Sequence, residues 1–224
     1  MPELTFRNRA HEVTRLEAFS DIVFGFALTL IVVALEVPES FEELMRSMRG
    51  FLGFAICFAV LMWVWHAHYL FFRRYGLTDG YTIVLNTILL FLVLYYVYPL
   101  KFLFSLVTGA AHNHNITHDD VSTLFIIYGL GFTGIWSLFA LLHLHAFRRR
   151  DELALTPLEV SDTRGYLAMY SSYAAIGVVS LLIAVTTRDA ALSFAGWVYF
   201  LIGPVSWFIG AKMGRAREKL RIEN

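Results

Sequence analysis

Of 224 residues, 58% are hydrophobic and only 16% charged, with a mean hydropathy of +0.60. A soluble domain carries about a quarter charged residues, so the composition is that of an integral membrane protein. The 18 basic and 18 acidic residues cancel, which leaves no basic face suited to a nucleic-acid backbone.

The chain opens on a charged stretch, Glu3, Arg7, Arg9, Glu12, Arg15 and Glu17, and then turns apolar. Residues 22–35 form a run of 14 without a charge. At about 1.5 Å per residue that covers about 21 Å, short of the roughly 30 Å of hydrocarbon a span must cross. A spanning helix must therefore take in Phe19, Ser20 and Asp21. No small-residue cleavage site follows, so the run reads as a retained helix and not as a signal peptide.

Six segments are long and apolar enough to span, at roughly 17–37, 51–72, 82–106, 121–147, 166–187 and 191–213. The connections between them are short and polar. The expected fold is all-α, with six transmembrane helices in one domain over residues 1–224. The single cysteine, Cys57, sits in an apolar stretch and reads as simple burial; it excludes an intrachain disulfide. With both termini in the cytoplasm, fourteen of the 18 basic residues fall on the inner side and only Arg46, Arg49, Lys101 and Arg188 outside. That asymmetry predicts the orientation.

On a wheel of about 100° per residue, Phe19, Val23, Phe26, Leu30, Val33 and Val37 of the first span share one stripe. Thr29 lies at its edge and Glu36 close to its outer end. Asp21 points elsewhere, toward a neighbouring helix. A carboxylate facing lipid is costly, so Asp21 needs a donor. Arg15 lies on a different face. Donors are offered by "WVWHAHY" in the second span (Trp63, His66, His68) and by Asn86 in the third. At the depth of Asp21 the expected partners are His66 and Asn86. The plain reading is that these groups lock three helices together by hydrogen bonds.

Arg15-x-x-x-Phe19-Ser20-Asp21, with Thr29-Leu30 above it, resembles the Arg-x-x-x-Phe-Ser-Asp signature of the endosomal–lysosomal potassium channel family. The match is to its short bacterial and archaeal branch, with six helices per chain. Trp63-x-x-His66 and Leu85-Asn86 leading to Pro99 agree with it. The resemblance covers roughly the first hundred residues; the last three spans match in number and hydrophobicity. It implies a homotetramer in the cell membrane that conducts potassium or other monovalent cations through a central pore lined by the first helix. No Thr-Val-Gly-Tyr-Gly filter occurs here. The resemblance places apolar rings on Phe26, Leu30 and Val33, with Thr29 as the polar member. Arg15, Phe19, Ser20, Asp21, His66 and Asn86 form the structural motif. Two departures stand out: Ile22 where a glycine is common, and Phe26 where a smaller aliphatic residue is usual. Glu36 is expected to form a carboxylate ring at the outer mouth, which concentrates cations.

A proton-coupled transporter or proton leak through Asp21 and His66 is the rival reading, because intramembrane ionisable groups mark proton relays. Against it stands the lack of paired broken helices. No H-E-x-x-H or G-x-S-x-G occurs, so an enzyme is not expected, nor any cofactor. His112, His114 and His118 read as a solvated loop, and the glycines Gly129, Gly131 and Gly134, with Gly210 and Gly214, as sites of close helix contact. The basic tail reads as a helix end near anionic lipid.

Overall fold

The computed structural model describes residues 6–10, 12–33, 40–49, 51–107, 118–187 and 193–222. These residues form α1 (Arg15–Val33), α2 (Phe41–Arg49), α3 (Phe51–Tyr75), α4 (Gly80–Val107), α5 (His118–Arg148), α6 (Pro157–Thr186), α7 (Ser193–Trp197), a 3₁₀ turn (Val198–Leu201) and α8 (Ile202–Ile222). No strand occurs among them. Helices α3, α4, α5, α6 and α8 are long and apolar enough to cross a membrane. The 19 residues of α1 reach about 28 Å and make the sixth span. The six-helix, all-α expectation is borne out.

Local chemistry sets where the helices start and stop. Thr14 and Glu17 form a capping box: the Thr14 hydroxyl accepts from the Glu17 amide at 3.2 Å, and the Glu17 carboxylate from the Thr14 amide at 2.8 Å. Two of the orphan amides at the start of α1 are thereby satisfied. Thr156 and Glu159 repeat the device at α6, with Pro157 in the first turn. This start lies nine residues before the expected 166, because Thr-Pro-Leu-Glu is a helix-start signal whatever the hydropathy around it. At the other end of α3, Gly76 takes φ +60 and donates to the Phe72 carbonyl at 2.8 Å. That left-handed position is where glycine ends a helix at least cost.

Two further elements depart from the sequence reading. Residues 41–49, expected within a polar connection, form the short helix α2, with Phe41, Leu44, Met45 and Met48 exposed. The last span is not one α-helix but is interrupted at residues 198–201.

Helix α1 packs on α3 and α4, α4 leads on to α5, and α5 runs along α6, which in turn carries α8. Phe24, Ala27 and Ile31 bring α1 into the main core. Trp136 of α5 sits at its centre, with ring centroids 4.5 Å from Trp63 and 5.3 Å from Tyr170. Small residues let α5 approach its neighbours: a Cβ on Gly129 would meet Leu181, one on Gly131 Tyr96 and one on Gly134 Leu92. Around Gly210 and Gly214 nothing lies within 4 Å, so these two make no close contact within the chain. Four residues apart on α8, they are turned outward instead.

Candidate functional site

The foot of α1 is held by two separate sets of bonds. Ser20 is fully buried and donates its hydroxyl to the Leu16 carbonyl at 2.7 Å. With that proton committed, its oxygen accepts from Asn86 Nδ2 of α4 at 2.9 Å. Asn86 Oδ1 in turn lies 2.9 Å from His68 Nε2 of α3. A carbonyl oxygen has only acceptor capacity, so His68 carries its proton on Nε2. The result is a head-to-tail chain from α3 through α4 to α1 in which every member is buried and bonded. Satisfied neutral networks of this kind fix helices against one another.

Asp21 lies outside that chain. Its Oδ1 accepts from Trp65 Nε1 of α3 at 2.8 Å on the outer side of the bundle. The expected partners, His66 and Asn86, are not its partners: His66 is exposed and Asn86 is taken by Ser20 and His68. Trp65, the residue before His66 on α3, meets Asp21 from a different azimuth. On α3 the buried residues Leu61, Val64, His68, Phe71 and Tyr75 follow a 3,4,3,4 spacing, so His68 belongs to the inward stripe. His66, about 160° away, cannot point inward with it. That periodicity was the signal for His68. For Trp65 the signal was weaker: an indole N–H is a donor that needs an acceptor. Arg15 is exposed, and its side chain makes no hydrogen bond or ion pair among the described residues.

Opposite the buried residues Ser20, Phe24, Ala27 and Ile31, α1 presents Phe19 (60% exposed), Ile22 (57%) and Phe26 (64%), with Thr29 also exposed. Val23 and Leu30 are half-buried. The open face is therefore rotated from the stripe read on the wheel: Ile22 and Thr29 lie near its middle, and Leu30 at one edge. The rotation follows from packing, since α3 and α4 cover Val23 and Leu30 in part. The Thr29 hydroxyl donates to the Phe26 carbonyl at 2.7 Å, which keeps it satisfied on an apolar face. The Val33 side chain and Glu36 lie outside the described residues, as do the side chains of His112, His114 and His118. Among the described residues no group of three His, Cys, Asp or Glu side chains is arranged to hold a metal ion.

Beyond the foot of α1, charged groups pair. Arg7 and Arg9 converge on Glu159, with Arg9 Nη2 at 2.7 Å from its Oε2. Arg217 of α8 binds Asp162 of α6 through two bonds of 2.8 Å. Asp79, between α3 and α4, caps α4 through Thr82 and also meets His145 at 3.1 Å and Arg149 at 3.0 Å. Burial alone would raise the Asp79 carboxyl. The Thr82 hydroxyl, His145 and the Thr82 amide outweigh it and lower the group to about 2.

A model of the endosomal/lysosomal potassium channel TMEM175 family matches residues 15–99. A potassium channel of Marivirga tractuosa is similar over 236 residues at 36% identity, covering 98% of this chain and 94% of that one. A potassium channel of Chamaesiphon minutus is 32% identical over 96 residues, 39% of this chain and 47% of that protein. Among solved structures, a variant of the potassium channel MtTMEM175, crystallised with a nanobody–MBP fusion, superposes with a TM-score of 0.82. It is 34% identical, with 95% of this chain and 98% of that one covered. A lysosomal potassium-selective channel TMEM175 homologue from Chamaesiphon minutus shares the fold, at a TM-score of 0.59 and 22% identity over 89% and 96% of the two chains.

Proposed function

Because the chain belongs to the TMEM175 family of potassium channels, which are not enzymes, we propose that it is itself a potassium-permeable channel. Its copies assemble as a homotetramer in the cell membrane, with both termini in the cytoplasm and α1 of each copy lining a central pore. One observation carries the reading: α1 leaves large apolar side chains and a threonine open on one face, while its other face is fastened to α3 and α4 by Ser20, Asn86, His68, Asp21 and Trp65. A lone helix that merely faced lipid would need no such fastening. Cyclic symmetry brings the same open face of every copy to one axis.

Phe26 then forms the narrowest ring, with Thr29, Leu30 and Val33 above it and Glu36 at the outer mouth. Four phenyl rings exclude water and hold the pore shut by dewetting until the helices rotate or spread. A proton relay through Asp21 and His66 finds no support in the geometry, since Asp21 is bonded to Trp65 and His66 faces outward. Purified protein in liposomes under a potassium gradient tests the reading. Wild type is expected to pass potassium passively, and Phe26→Ala to raise the flux and weaken selectivity. Absence of flux in both wild type and Phe26→Ala overturns the channel, and unchanged flux in Phe26→Ala overturns the Phe26 ring.

A further inference from the structure

The N-terminal arm, residues 6–10, is strapped across the basic end of the bundle. The Arg9 amide donates to the Arg73 carbonyl at 3.1 Å, and Arg73 Nη1 donates back to the Ala10 carbonyl at 2.9 Å. Between the arm, the end of α3 and the turn before α6 lies a cleft of about 720 Å³, lined by Arg7, Asn8, Arg9, Arg73, Leu153 and Ala154. That volume is within the range of sites that hold small organic ligands, roughly 300–1,000 Å³.

Among the described residues, charge in this cleft is not balanced: three guanidinium groups face a single carboxylate, Glu159, whose two oxygens are already shared by Arg7 and Arg9. The other arginine donors go to neutral carbonyls, those of Leu153 and Ala154 among them. Nearby acids are spoken for: Glu152 pairs with Arg149, and Asp151 lies 3.8 Å from Arg150. Arg73 Nε is buried and meets no acceptor among the described residues. That shielded Nε–H lies out of a ligand's reach, but Arg73 Nη2 is not shielded and donates to none of the described residues, so it can meet an oxyanion in the cleft. Arg74 beside it is held away from the cleft, over the rings of Phe6 and Tyr166 at 5.0 and 4.6 Å.

We propose that this cleft binds a phosphate-bearing anion through Arg73 and Arg7. Guanidinium groups match phosphate oxygens in pairs, and basic pockets between helix ends at the inner face suit an anionic headgroup. The same phosphate could arrive on a lipid or free in solution. The site is independent of whether α1 lines a pore.

Native mass spectrometry of the full chain in neutral detergent tests the site. The ligands are phosphatidylcholine, phosphatidylglycerol and phosphatidic acid in one arm, inorganic phosphate and ATP in another. Wild type is expected to retain an anionic ligand over phosphatidylcholine. Arg73→Gln and Asn8→Asp, the latter placing a carboxylate in the cleft, should each weaken retention roughly tenfold. Arg215→Gln, the same loss of charge on the exposed face of α8, should not. Retention confined to the lipids assigns a headgroup, and retention confined to ATP or phosphate a soluble anion; both support the site. No retention above phosphatidylcholine overturns it, as does equal loss in Arg215→Gln or unchanged retention in Asn8→Asp. If Arg73→Gln fails to fold, Asn8→Asp decides, because the Asn8 side chain is exposed and makes no hydrogen bond among the described residues.

Discussion

The bonds that hold α1 at its foot and those that hold the helix ends just beyond it are made of different chemistry. At the foot, Ser20, Asn86 and His68 are all nearly or fully buried and none needs a charge to complete its bonding. At the basic end, Glu159 and Asp162 are as deeply buried, yet each is paired with arginine. The difference lies in what surrounds them. Near the ends of α5 and α6, the carbonyls of Leu153 and Ala154 accept from Arg9 and Arg7, and solvent reaches the exposed Arg7 side chain, so the arginine charge is shared. Among apolar helices a neutral amide forms an equally complete network without the desolvation cost of an ion. Buried position alone does not decide between ion and amide; access to helix ends and water does.

The hardest blow to the charged end is Glu159→Ala. It removes the Glu159 half of the α6 capping box and the carboxylate that Arg7 and Arg9 share, for a cost of about 3 kcal/mol. A detergent melt of this variant should fall by more than that of any variant at the foot; an unchanged melt would break the distinction. Asn86→Leu attacks the neutral network at its centre. It leaves the Ser20 oxygen without its donor and His68 without its acceptor, so about 2 kcal/mol is expected to be lost. If Asn86→Leu melts like wild type, the network is incidental to the fold.

Asp21→Ala is milder. Its bond to Trp65 sits on the outside of the subunit, and about 1 kcal/mol is expected. Asp21→Asn should keep most of that, since the amide oxygen still accepts from the indole. Equal melts for Asp21→Ala and wild type would remove Asp21 from the anchoring of α1.

The smallest expected effect separates the two regions by pH. Asp79 is lowered to about 2, whereas an unfolded aspartate titrates at about 3.9. A depressed carboxyl contributes stability that is complete above the unfolded value and is lost as the pH falls through the folded one. Between pH 4 and pH 2 the gap in melting temperature between wild type and Asp79→Asn should close. The gap between wild type and Asn86→Leu should not close over the same window, because no carboxylate takes part in that network. Parallel behaviour of the two variants would contradict the assignment of charge to one region and neutrality to the other.

The span positions, the foot motif of α1 and the separation of an apolar stripe from Asp21 were legible in the residues because each is local. Hydropathy over about 20 residues and a wheel position depend only on neighbours in the chain. The partners were not legible in the same way. Whether Asp21 meets His66 or Trp65 depends on how α3 is rotated about its axis, and its buried 3,4,3,4 stripe settles that only once α3 is packed on α1 and α4. The same holds for the open face of α1, which shifts toward Ile22 and Thr29 as α3 and α4 cover Val23 and Leu30. Gly129 and Gly210 look alike in sequence, but one lies under Leu181 and the other against nothing. Most telling is Glu159: Thr-Pro-Leu-Glu announces a helix start to any reader of the chain, but its ion pairs join residues about 150 positions apart. Short-range propensity placed the carboxylate at the first turn of α6, and only the folded chain could bring Arg7 and Arg9 to it.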